Sequence, residues 1–485
     1  MGYGKVLREK IPAIRFLVDA QKTVWYPILF AAICIISGSF DRFVYIPLIA
    51  VLCVFVLFSV LFADDNKVFL VPVLMIYYSL GRDNTSAKPG IGDDLLTSSF
   101  HPAGFTFIVV CGVVVTLAFV SRLIADGSIA AAFKKRRTAT VGILALDVAL
   151  MLNGAFSPTY TPMNLLYGFI IAAAFTLFYF ACSGMLSSSE DFIPYACKSM
   201  VCASYVALGQ FTVLLIKLQS SGLLCKLDEN GNFLQFNRHR FVLAWGLSTA
   251  IGGVFVLGIA AALYLARNGK RSVWSYLSAV PLWIGTIVIN TRSAMLIGAV
   301  AFAIGAVLCC LKGENKRNVV RCRIMLAIVV GIALTGILII LTDKSMMQML
   351  LEALRLRGFD DSARLKLWVK GWNNFLSHPI FGAGFDTGSN ISNNVFSSMY
   401  HSFVIQFPGS MGIVGIAAAL IHFFTVGKIC FKRPSADKLI LMLIPFMILG
   451  MSLVDNFFFY PFFQIFYCVF LCLAEYHDEE RIAIP

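Results

Sequence analysis

Charge is scarce in this chain of 485 residues: Asp, Glu, Lys and Arg make up 13% of it, against 59% hydrophobic residues. With a mean hydropathy of +0.82, it lacks the polar surface a water-soluble shell would need. A soluble globular protein is excluded, and the bilayer must be its solvent. Acidic residues are the scarcer sign, 26 against 39 basic ones. The resulting charge of +13 does not imply a nucleic-acid partner, because its densest clusters fall between apolar runs, where they fix topology and meet anionic headgroups. External cysteine pairs are lacking too. Cys34, Cys53, Cys111, Cys182, Cys197, Cys202, Cys309, Cys310, Cys468 and Cys472 sit in or beside apolar runs, where thiols behave as small hydrophobes. Cys322 and Cys430 fall in expected cytoplasmic connections, so only Cys225 is external and a disulfide framework is excluded. No Cys/His cluster has ligand spacing, so no metal and no cofactor is expected. No internal repeat or low-complexity tract is visible, which leaves nothing of the paired halves common in transporters. No small-residue cleavage pattern follows the basic N-terminus, and the first apolar run reads as an uncleaved span.

What the chain has in abundance is apolar runs. A span needs roughly 20 mostly apolar residues, and runs of that kind centre near Phe30, Cys53, Leu74, Val114, Leu146, Ala173, Val206, Val254, Trp283, Ala303, Val330, Ala418, Phe446 and Phe466. The third, over residues 68–80, is short and reads as re-entrant or half-length. The expected fold is an all-α polytopic membrane protein with about 12–14 transmembrane helices and one large external loop in its C-terminal third. Residues 1–341 would form a helix bundle, 342–410 the loop, and 411–485 the last helices.

Orientation follows from the Lys/Arg bias of short connections. With the N-terminus inside (Lys5, Arg8, Lys10, Arg15 and Lys22), every second connection should be basic, and 134–137, 267–271, 312–323 and 428–438 are. The connections at 64–67 and 187–198 are only weakly charged. The external set is then 81–102 with Asp83, Asp93 and Asp94, followed by 157–160, 218–240, 290–293, 342–410 and 455–456. Both termini fall inside, and chemistry is expected on the outer face.

Four features on that face carry chemistry. Arg292 lies in Asn290-Thr291-Arg292-Ser293, between two apolar runs. An arginine at that depth either snorkels to the interface or faces a polar cavity or an anion. In the large loop, Asp360-Asp361-Ser362 offers a helix cap, and Leu365, Trp368, Trp372, Phe375 and Leu376 recur at helical spacing. Arg364, Lys366, Lys370 and Asn373 occupy the other faces. This predicts an amphipathic helix along the outer leaflet or capping the bundle. It stops at His378-Pro379, because proline disfavours helical geometry in the residue before it, and Gly382-Ala383-Gly384 follows. His401 then precedes a short apolar segment, 402–407, interrupted by Pro408-Gly409. Such a segment enters the bilayer only if protein or a water-filled cavity satisfies its backbone. Taken alone, a solvated face for the charges and a structural role for the histidine are the blander readings.

Together these residues match a known pattern. Arg364 with Trp368, the run His378-Pro379-Ile380-Phe381-Gly382-Ala383-Gly384, and His401-Ser402 followed after nine residues by Gly412-Ile413-Val414-Gly415 resemble the O-antigen ligase and polysaccharide polymerase family. The step Thr291-Arg292-Ser293-Ala294 is similar to that family's Ser-Arg-Ser/Gly element. The resemblance covers 290–418 strongly, and the N-terminal half only as a string of spans. Ser402 stands where Asn is commoner. Pro408-Gly409-Ser410 replaces longer apolar or acidic residues, which predicts a kinked helix start.

The resemblance implies a many-helix glycosyltransferase of the C-type membrane class. Its partners would be a polyprenyl (undecaprenyl) diphosphate-linked glycan donor, a glycan or lipid-core acceptor, and the lipid bilayer, without a metal. It assigns Arg292 and Arg364 to the donor diphosphate and puts His401, with Arg364, at the reaction centre. It implies a bacterial inner membrane with the active site on the periplasmic face. The physical chemistry agrees: a departing lipid diphosphate leaves negative charge that fixed guanidinium groups stabilise bidentately. A histidine can take the proton of an attacking sugar hydroxyl. Asp386 and Asp455 are secondary candidates, as are Lys217, Arg238 and Arg240, interfacial anchors that can also steer an anionic donor. Asp147 lies within an apolar run and is expected to face an internal partner or a cavity, and His422, deep in a span, reads as a packed polar residue rather than a ligand. Polymerisation is preferred to ligation. A transporter or flippase of lipid-linked oligosaccharides and a protein O-oligosaccharyltransferase are the alternatives.

Overall fold

The computed structural model describes residues 7–40, 42–81, 102–134, 137–156, 162–186, 191–227, 233–237, 240–313, 315–342, 362–385 and 400–483. Helix dominates them. The first half contains α1 (Pro12–Gln21), α2 (Trp25–Ser39), α3 (Arg42–Phe62), α4 (Leu70–Met75), α5 (Pro102–Ala125), α6 (Ser128–Lys134), α7 (Thr138–Phe156), α8 (Pro162–Leu186) and α9 (Phe192–Ser220). Two short antiparallel pairs follow, β1 (Cys225–Leu227) with β2 (Phe233–Phe236) and β3 (Val242–Leu243) with β4 (Gly246–Leu247). The second half contains α10 (Ser248–Asn268), α11 (Ser272–Val288), α12 (Arg292–Cys310), α13 (Lys316–Thr342), α14 (Ser362–Ser377), α15 (Phe403–Phe431), α16 (Ala436–Ser452) and α17 (Pro461–Ala483).

The chain is an all-α polytopic membrane protein, and all fourteen apolar centres fall in helices. Among the described residues seven helices are long and apolar enough to cross a membrane, or eight if α1 and α2, bent by 81°, count as one span. Four of the other centres lie in shorter apolar helices, and the last two in α16 and α17. The expected half-length third run is the segment Asn66–Ser79, where α4 is flanked by 3-10 turns. Its irregular backbone is enclosed by protein, as membrane depth requires. The Gln210 amide donates to the Tyr78 carbonyl (2.6 Å), and Ser37 donates to that of Ser79 (2.5 Å).

Burial differs sharply between spans. The apolar window of α10 is 89% buried, that of α13 only 6%. Small residues let neighbours approach α10 closely: Gly252 lies against Ala294 of α12, and Gly258 against Ser204 of α9. Two polar residues inside the bundle find partners. Thr176 donates to Asp147, and His422 Nε2 lies 2.7 Å from the Tyr467 hydroxyl.

Specific contacts show which helix ends meet. Ile297, near the start of α12, packs at Gly450, near the end of α16, while Gly253, near the start of α10, lies under Phe457 and Phe463. These termini share one end of the bundle. At the other end the Arg267 guanidinium donates to Asp437 (2.7 Å) and to the carbonyls of Leu308, Leu311 and Lys312 (3.0, 2.9 and 2.8 Å). There too the Glu475 carboxylate accepts from the Thr138 N–H and the Tyr179 hydroxyl. The described residues of the four basic connections therefore gather at one end, with 290–293 and 455–456 at the opposite one.

Candidate functional site

The site is built around a break in α15. Gly412, inside that helix, has φ 63° and ψ −151°, a conformation open at low cost only to glycine. The freed backbone groups are taken up by the run after His378. Ala383 N–H donates to the Gly409 carbonyl (2.9 Å) and Gly384 N–H to that of Ser410 (3.1 Å). In return Ile413 N–H donates to Pro379 (2.8 Å) and Val414 N–H to Ile380 (3.3 Å). Gly382, at φ +71, lies so close to the Ser410–Met411 backbone that a Cβ would overlap it. The irregularity expected over Pro408-Gly409-Ser410 thus falls at Gly412. Pro408 stays within the helix.

This docking fixes α14 against α15. The predicted amphipathic helix forms over Ser362–Ser377 and ends before His378-Pro379; its expected caps, Asp360 and Asp361, lie outside the described residues. The Tyr400 ring lies against Gly371 and Gly409, and its hydroxyl accepts from Asn374 Nδ2 (2.7 Å). Leu365, Val369, Trp372 and Leu376 form an exposed stripe on α14, so the helix packs on α15 and keeps an apolar face uncovered.

His401 immediately precedes Ser402, the N-cap residue of α15, with φ +53, a left-handed conformation unusual outside glycine. Its side chain is 33% exposed, and Nδ1 lies 3.1 Å from Asp455 Oδ1. Asp455, 7% exposed, sits in the connection after α16. It also accepts from the Asn456 N–H (2.8 Å) and the Tyr460 hydroxyl (3.3 Å). Burial alone would raise the Asp455 carboxyl. The hydrogen bond and charge of His401, the Asn456 N–H and the charge of Arg364 outweigh it and hold the carboxyl below its ordinary value. Burial, reinforced by Asp455, pushes the Tyr460 hydroxyl well up, so it remains a neutral donor.

Arg364, in the first turn of α14, is therefore close enough to act electrostatically on the carboxylate that His401 touches. Arg292 is the first residue of α12, half-buried, at the same end of the bundle. Asn290 supplies the turn before it at φ +53, a conformation asparagine tolerates. Of the other candidates two are described. Lys217 donates to the Ser39 carbonyl (2.5 Å) and rests over the Phe40 ring, as an interfacial anchor would. Arg240 is half-buried, its N–H bonded to the Asn237 carbonyl (2.9 Å). Arg238 and Asp386 lie outside the described residues. Among the described residues no group of three or more His, Cys, Asp or Glu is gathered as a metal ion would need.

Sequence reasoning passed over Gln406 and Asn456, both 0% exposed. The one available signal was a polar residue inside an apolar run.

A comparison with curated proteins returns no match. Residues 277–420 match the O-antigen ligase family model. The matched segment carries Arg292, Arg364, His378-Pro379, His401 and Gly412, and ends before Asp455, which the fold supplies from outside it. The apolar helices make the chain a multi-span membrane protein, and the match makes its segment 277–420 similar to the O-antigen ligase family.

Proposed function

We propose that the protein is a glycosyltransferase using a polyprenyl (undecaprenyl) diphosphate-linked oligosaccharide as donor in the assembly of a surface polysaccharide (O-antigen, capsule or exopolysaccharide), polymerisation being preferred to ligation. The observation that carries this reading is His401 Nδ1 lying 3.1 Å from Asp455, whose carboxyl His401 and Arg364 help hold below its ordinary value. With Nδ1–H donated to the carboxylate, Nε2 is the nitrogen left to give up and take up a proton at the reaction centre. That nitrogen takes the proton of the acceptor sugar hydroxyl as its oxygen bonds to the anomeric carbon. The bond from that carbon to the diphosphate oxygen breaks, and the polyprenyl diphosphate leaves with the electron pair. Arg364 and Arg292 meet the charge that develops, in a water-poor setting where fixed guanidinium groups count for most.

The membrane setting is inferred from charge. The basic connections lie at the end opposite His401, which supports an inner-membrane orientation with cytoplasmic termini and a periplasmic site. The test is incubation of purified protein, wild type and His401→Ala, with a polyprenyl-diphosphate-linked repeat unit, resolving products by size. A ladder lost in the variant is the expected outcome. Transfer seen only once lipid core is added would identify a ligase, and a protein acceptor would identify a protein O-oligosaccharyltransferase. No transfer to any acceptor would return the reading to a transporter.

A further inference from the structure

We infer that Gln406 is the positioning residue that sets His401 against Asp455. Gln406 is fully buried in the second turn of α15, and its amide joins three pieces of chain. Oε1 accepts from the Tyr400 N–H (2.9 Å), directly before His401, and from Asn456 Nδ2 (3.2 Å), directly after Asp455. Nε2 donates to Ser410 Oγ (2.7 Å), on the residue whose carbonyl receives the Gly384 N–H. One carbonyl oxygen therefore holds the neighbours of both members of the His401–Asp455 pair, and the same amide ties them to the docked 379–384 run.

His401 needs such a hold. Its backbone sits at φ +53, a conformation that persists in a non-glycine residue only when its surroundings over-determine it. The residue before it is held by Gln406, the Nδ1 atom by Asp455, and the helix behind by the 402–406 turn, where Gln406 N–H donates to the Ser402 carbonyl (2.8 Å). Gln406 is fully buried, its amide spent on Tyr400, Asn456 and Ser410. Its effect passes through the orientation of His401, where a misplacement of about 1 Å can cost 100-fold in rate.

The inference rests on His401 acting in transfer, and the same assay separates the two. Steady-state transfer is measured with the polyprenyl-diphosphate-linked repeat unit for wild type, Gln406→Ala, Gln406→Glu, Asn456→Ala, the Gln406→Ala/Asn456→Ala double variant, and His401→Ala. Gln406→Ala should lower kcat by about 10–100-fold with the donor KM unchanged. Gln406→Glu, whose neutral acid keeps both acceptor contacts and an O–H donor for Ser410, should recover activity to within about threefold of wild type. Asn456→Ala should lower kcat alone, and the double variant should be no worse than the poorer single one, since both act through one contact. A raised donor KM with kcat intact, additive losses, or a Glu variant as poor as the Ala one would overturn the positioning role. Activity retained in His401→Ala would instead overturn the reading of the site itself. Should Gln406→Ala fail to fold, Asn456→Ala and Gln406→Glu still decide the matter.

Discussion

At the scale of single residues, one imidazole does different work according to what faces it. His422 is buried and bonded to the Tyr467 hydroxyl (2.7 Å), a packing role. His401 keeps a third of its side chain exposed while a carboxylate holds Nδ1. His401→Ala and Arg364→Ala should each abolish transfer, with losses of about 100-fold or more, while membrane insertion and abundance stay at wild-type levels. Arg292→Lys separates charge from geometry. The ammonium keeps the positive charge and loses the bidentate fork, so a fall of about 10–100-fold is expected in the transfer assay. Asp455 adds a pH dependence whose sign is set by its lowered carboxyl. A depressed acid stabilises the fold fully above the ordinary Asp value, and that contribution is lost as pH falls through the folded value. Melting curves of detergent-solubilised wild type and Asp455→Asn should therefore differ most near neutral pH and converge as pH drops below about 4. A gap that widens in acid would contradict the pairing.

At the scale of elements, the junction of α14 with α15 is a backbone exchange. Four N–H donors and four carbonyls of the 379–384 run and the 409–414 break satisfy one another. Side-chain chemistry hardly enters, which is why glycines recur there. Gly382→Ala would place a Cβ into backbone that cannot swing away, at a positive φ already costly for alanine. A loss of at least about 2 kcal/mol in stability, with transfer abolished, is expected from melting and activity measurements. Gly331→Ala is the matched control, since nothing lies within 4 Å of its added methyl. It should leave both properties within error of wild type or raise stability by up to about 1 kcal/mol.

At the scale of the molecule, the two ends of the bundle divide the labour. One end is closed by Arg267, 3% exposed, with its carboxylate and carbonyl partners. The other carries the paired His401 and Asp455. If charge sets the orientation, an impermeant thiol reagent added to intact cells should, in a Cys225→Ser background, label Leu223→Cys, at the His401 end. Lys316→Cys, in a basic connection, should react only after the membrane is opened. The reverse pattern would invert the topology and move the proposed transfer to the cytoplasmic face.

Membrane class, the order of apolar runs and the segment bearing Arg292, Arg364, His378-Pro379 and His401 were legible in the sequence. They depend on local composition and on spacings within one stretch of chain. The end of α14 before His378-Pro379 was equally legible, because proline acts on its own neighbour. Other features depend on residues far apart in the chain and were not. Asp455, 54 residues from His401, had only the standing of a secondary candidate until α16 and α17 brought it to Nδ1. The role of Gln406 was hidden inside an apolar run. The position of the break, at Gly412 and not over Pro408-Gly409-Ser410, was set by which carbonyls the 379–384 run could reach. Composition and spacing thus determined the bilayer as solvent and the segment that matches the family model. Only tertiary structure decided which carboxylate orients the histidine and where the helix breaks, because long-range hydrogen bonds link groups that sequence spacing does not relate.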